Sequence, residues 1–158
     1  MAIRQIRKYG DEILRKKAKE VAEINTRVVE LIEDMVETLN SSETGIGLAA
    51  PQVGVLKRII VMKTGEEVLR LINPVITAQA GEQIEIEGCL SIPEKYGTVK
   101  RPAEVTVEGL NEKGEKVQVK GTELVARLLC HEIDHLDGIL FIDKVINYVD
   151  PKGMRNDD

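Results

Sequence analysis

The sequence predicts an α+β fold, with antiparallel β-sheets around one central helix and further helices near the N-terminus. Three observations carry this. Helical periodicity dominates the first 40 residues, the middle of the chain alternates in short runs broken by turn residues, and one late helix is apolar around most of its circumference.

Two early segments have helical spacing. Over residues 11–21, Ile13, Leu14, Ala18 and Val21 fall on one side. Residues 26–39 repeat more strongly, with Val28, Ile32, Met35, Val36 and Leu39 in phase and Asn25 or Thr26 available as cap; Gly45 closes the pattern. Residues 58–62 and 68–72 are short apolar runs, the second broken or bent by Asn73-Pro74. Residues 83–87 alternate polar and apolar, as a half-buried strand does. Residues 104–110 and 115–120 flank Asn111-Glu112-Lys113-Gly114, a hairpin turn. Residues 122–136 follow, with Leu124, Val125, Leu128, Leu129, Ile133 and Leu136 spread around the helix, which therefore belongs inside; Gly138 is placed to end it.

A chain of 158 residues fits one domain, 1–158, with no internal repeat or dividing linker. With one Phe, three Tyr and no Trp, the core must be made of Ile, Val and Leu. A net charge of -5 argues against a nucleic-acid surface, although residues 4–19 are locally basic. No apolar run approaches the ~18 residues that cross a bilayer, so no membrane role and a cytoplasmic location are expected. Two cysteines, Cys89 and Cys130, do not make a disulfide framework.

The buried helix contains His131-Glu132-Ile133-Asp134-His135, an H-E-x-x-H pattern. Residues four apart share a helical face, so both imidazoles reach one ion, while Glu132 points aside toward a water next to it. The plainer reading is a pair of hydrogen-bonded structural histidines. Against it, these are the only histidines, they sit in the most apolar helix, and the acid between them is costly to bury without a cation. The central helix is thus predicted to be metal-binding. A third protein ligand is required. No Glu lies downstream, and Phe141 stands where H-E-x-x-H-x-x-G-x-x-H would place a third His. Cys89, in Glu87-Gly88-Cys89-Leu90-Ser91, is a candidate thiolate ligand or equally a buried structural cysteine. Cys130 points about 100° away from His131 and reads as packing.

Residues 45–54, Gly45-Ile46-Gly47-Leu48-Ala49-Ala50-Pro51-Gln52-Val53-Gly54, superficially match a dinucleotide fingerprint. That motif must follow a strand and open a helix, and this one follows a helix and is cut by Pro51. It is either a plain turn-rich loop or one whose small residues admit a substrate backbone, with Gln52 offering an amide.

Together the segments G-x-G-L-A-A-x-Q, E-G-C-L-S and H-E-x-D-H, in that order at 45–52, 87–91 and 131–135, resemble the peptide deformylase family, whose members remove the formyl group from the N-terminal methionine of new bacterial proteins. The resemblance runs from residue 6 to about 141, and Pro93 is similar to the family's type 1 form. It implies Cys89, His131 and His135 as metal ligands, Glu132 as the acid–base residue, and the Gln52 amide with the Leu90 N–H as donors to the formyl oxygen. It further implies a methionine pocket at Leu124 and Leu128, and substrate contacts at Gly45, Ile46, Gly47 and Gly88. Fe²⁺ is the implied native ion, with Zn²⁺, Ni²⁺ or Co²⁺ in preparations. The partners implied are N-formylmethionyl nascent peptides, met by a monomer. Cys130 replaces a common Gln, and the chain stops soon after Asp150-Pro151, so at most a transient ribosome contact is expected. Two other readings remain weaker: a zinc peptidase, which lacks its downstream ligand, and a closed structural metal site, which lacks a fourth ligand.

Overall fold

The computed structural model describes residues 2–150. The tail after Asp150, and with it the end of the expected domain at 158, lies outside the described residues.

Near the N-terminus a 3₁₀ turn, Glu12–Arg15, is followed by helix α1, Thr26–Asn40. Helix α1 is capped by Asn25, whose side chain accepts the Val28 N–H at 3.0 Å, and it buries Leu31, Ile32, Met35 and Leu39. The expected helix over 11–21 is not formed beyond that 3₁₀ turn. Its amides are taken by other elements: Ala18 N–H donates to the Leu136 carbonyl at 2.8 Å and Val21 N–H to Asn73 Oδ1 at 2.8 Å. The apolar positions Leu14, Ala18 and Val21 are buried as the periodicity required, but Leu14 from the 3₁₀ turn and Ala18 and Val21 from an extended strap.

Next come β1 (Gly47–Ala49), a 3₁₀ turn (Ala50–Val53), β2 (Ile59–Thr64), β3 (Glu67–Ala80), β4 (Gln83–Cys89), β5 (Ile92–Arg101), β6 (Glu104–Leu110) and β7 (Lys116–Thr122). Helix α2 (Glu123–Leu136), a 3₁₀ turn (Phe141–Asp143) and β8 (Val145–Val149) complete the described residues. All strand pairings are antiparallel and form two sheets, ordered β1-β2-β3-β6-β7 and β4-β5-β8. Asn73-Pro74 bends β3 without ending it. Asn73 takes a positive φ of 54°, and the register against β6 shifts there.

Helix α2 lies against β1, β2, β6 and β7 of the larger sheet and touches β5 of the smaller one. Its Ala126, Leu129, Cys130, Ile133 and Leu136 join Ile60, Met62, Leu71, Val105 and Val107 in one core, with α1 and the other face of β2 building a second. Gly138, at φ +75°, turns the chain out of α2. A Cβ there would sit 2.5 Å from the Arg15 carbonyl, so the strap and the helix end require a glycine.

Candidate metal centre and active site

Helix α2 projects His131, Glu132 and His135 from its buried side, at 8%, 3% and 1% exposure. Strand β4 ends at Cys89, facing them. The sulfur of Cys89 and one ring nitrogen of each histidine converge within 4.8 Å of one another, and Cys89 Sγ lies 3.4 Å from His135 Nε2. Ligand bonds of about 2.0–2.3 Å in a tetrahedron put neighbouring ligand atoms ~3.6 Å apart, so this thiolate–imidazole set fits a single divalent ion with one position left open. One buried atom beside them supports that fit: Glu132 Oε1 has no hydrogen-bond partner among the described residues.

Neighbouring groups fix the orientation. His131 Nδ1 meets Glu87 Oε1 at 2.9 Å, which leaves its Nε2 for the centre, and the His131 ring stacks on Phe141 at 6.1 Å. Phe141, standing where H-E-x-x-H-x-x-G-x-x-H would place a third histidine, thus packs against the His131 ring. Gln52 is held by its Oε1 accepting the Ala49 N–H at 2.9 Å, and its Nε2 lies 3.1 Å from Ser91 Oγ and 3.5 Å from Cys89 Sγ.

Electrostatics follow from burial. Desolvation pushes the Glu132 carboxyl up to about 7, against the pull of His131 and with a push from Glu87. Desolvation likewise holds His135 well below its ordinary value, so the ring stays neutral and able to ligate. For Glu87 burial works upward, yet hydrogen bonds from His131 and Arg101 win and hold it down at about 2. Cys130 packs in the core with its thiol raised to about 11 by burial, as expected of a packing cysteine.

Above these groups opens a cavity of about 500 Å³. Its walls include Gln52, Cys89, Leu90, His131 and Glu132, together with Gly45, Ile46, Gly47, Gly88, Leu124 and Leu128. Every residue predicted for the site therefore lines it except His135, which lies beneath. Sequence reasoning passed over Lys8, Glu94, Tyr96 and Arg127, which also line it, and Arg101, which lies behind it. None belongs to a motif. Arg101 had one signal: it continues the inward face of β5 after Gly97 and Val99, where a charge is out of place.

Comparison with known proteins matches the chain to the family described as polypeptide deformylase over residues 3–150. The chain is 60% identical to the peptide deformylase of Acetivibrio thermocellus over 98% of its length and 91% of that protein, and 55% identical to that of Caldanaerobacter subterraneus over 98% and 97%. Its fold matches the crystal structure of peptide deformylase from Thermotoga maritima with a TM-score of 0.88 at 38% identity, covering 92% of this chain and 99% of that one. The chain therefore belongs to the polypeptide deformylase family, metal-dependent enzymes that remove the N-formyl group from nascent peptides.

Proposed function

We propose that Cys89, His131 and His135 hold one divalent ion and that Glu132 carries the proton while the formyl group leaves the N-terminal formylmethionine. The observation behind this is the convergence of three ligand atoms within 4.8 Å beside a buried, unpartnered carboxylate oxygen. A bound ion supplies a Lewis acid that acidifies water and polarises a carbonyl. Fe²⁺ is the proposed native ion; a thiolate with two imidazoles also accepts Zn²⁺, Ni²⁺ and Co²⁺.

In this reading Glu132 accepts the proton of the attacking water as oxygen bonds to the formyl carbon, a task suited to a buried carboxylate whose Oε1 has no partner among the described residues. The Gln52 amide and the Leu90 N–H donate to the formyl oxygen as charge builds there. When the C–N bond breaks, Glu132 returns the proton to the amine, and formate and the free N-terminus result. Because β1 is an edge strand, Ile46 and Gly47 can pair with an extended peptide, with Gly45 and Gly88 beside it. Leu124 and Leu128 give the methionine side chain an apolar wall.

We propose action as a monomer on the emerging peptide, in the cytoplasm where such peptides appear. Among the described residues no helix is long and apolar enough to cross a membrane. Formate release from a formyl-Met peptide tests the role of Glu132. Glu132→Ala should retain metal and lose turnover by about 10²–10⁴-fold. Near-normal release by that variant would overturn the assignment.

A further inference from the structure

The three ligand atoms come from two separate elements, Cys89 from the end of β4 and both histidines from α2. Their spacing depends on whatever holds those elements together beside the site. Arg101 is a buried side chain that spans the gap. Arg101, at the end of β5 and 3% exposed, donates from Nε and Nη2 to Glu87 Oε2 and Oε1, each at 2.9 Å. Its Nη1 donates to Asp134 Oδ2 at 2.6 Å. Glu87 lies two residues before Cys89, and its Oε1 also meets His131 Nδ1 at 2.9 Å. Asp134 immediately precedes His135 and receives Lys144 Nζ at 3.0 Å.

We propose that Arg101 is a positioning residue for the metal centre, clamping the cysteine-bearing strand to the histidine-bearing helix and, through Glu87, aiming His131. The inference rests on the Cys89–His131–His135 reading. Stability is a poor explanation for this arrangement, because a buried ion pair gains little over apolar packing. Geometry is a better one. Five N–H donors in a rigid plane can grip one carboxylate with two parallel bonds and a second carboxylate with another, which a lysine ammonium cannot do at fixed angles. Loss of the clamp would leave all three ligands present but free to drift, and an ion tolerates that poorly.

The test uses Co²⁺-loaded full-length protein, with Co²⁺ affinity read by chelator competition and ligand geometry by the visible spectrum. Arg101→Lys keeps the charge and removes the fork; it should weaken Co²⁺ binding by about 10–100-fold and shift the ligand-field bands while far-UV circular dichroism stays native. Asp134→Asn weakens one arm and should change both readouts less, in the same direction. If Arg101→Lys does not fold, Asp134→Asn decides alone. Wild-type affinity and spectrum in the folded variants, even with a lower Tm, would make Arg101 purely structural and overturn the proposal. Cys89→Ala is the control: an unchanged Co²⁺ spectrum there would remove the ligand reading itself, and the clamp with it.

Discussion

Gly47 lies so close to Glu132 that a Cβ on it would sit 2.5 Å from Oε2. No rotation of a methyl group relieves such a contact, so the proposed proton carrier or strand β1 must shift. Gly47→Ala should therefore lower kcat/KM for a formyl-Met peptide by about 10²-fold, since displacement of a catalytic group by about 1 Å costs that much. Its metal content should stay at the wild-type level, because the glycine touches no ligand. Unchanged kinetics would mean the carboxylate position is not critical. The histidine pair and Glu132 were legible as residues because helical spacing alone puts them on neighbouring faces. The role proposed for Cys89 was not, since no local pattern distinguishes it from a buried cysteine, and only the three motifs together singled it out. Arg101 escaped because its partners lie 14 and 33 positions away.

At the scale of elements, α1, α2 and the hairpin of β6 and β7 followed from periodicity and turn chemistry. Strands β1, β5 and β8 did not. Gly47–Ala49 has little strand propensity, and β5 carries Pro93 and Gly97 with several charges. The strap over residues 16–21 was misread as helix because burial at positions 14, 18 and 21 mimics a helical face. Asn73 holds that strap: its Oδ1 accepts from Val21 N–H at 2.8 Å and its Nδ2 donates to the Val21 carbonyl at 3.0 Å. Asn73→Ala strands both groups and puts a Cβ-branched-free but non-glycine residue at positive φ without the side-chain bonds that support it. The expected cost is about 2–3 kcal/mol. Thermal unfolding followed by circular dichroism should show Tm lower by about 5–10 °C; an unchanged Tm would mean the strap is held elsewhere.

For the whole molecule, the class of fold and a buried central helix could be read from the sequence, but the division of strands between two sheets could not. That division depends on pairings between distant segments, such as β3 with β6 and β5 with β8. Response to acid is also a property of the assembled chain. Burial raises Asp34, but the Ala2 N–H at 2.7 Å and the Arg4 guanidinium outweigh it, so the folded value lies below the ordinary 3.8. A depressed carboxylate adds stability that is fully present above the unfolded value and disappears as pH falls through the folded one. Asp34→Asn should therefore be less stable than wild type at neutral pH, and the gap in Tm should narrow from about pH 4 downward. A gap independent of pH would show that the N-terminal segment is not tied down by this charge.

The central claim is that the ion is held by Cys89, His131 and His135. Metal content and formate release measured on the same anaerobically purified sample, for wild type and Cys89→Ala side by side, test it most directly. The account predicts one equivalent of divalent metal and active deformylation in the wild type, and loss of both in the variant. Stoichiometric metal retained in Cys89→Ala would contradict it and point to a different third ligand.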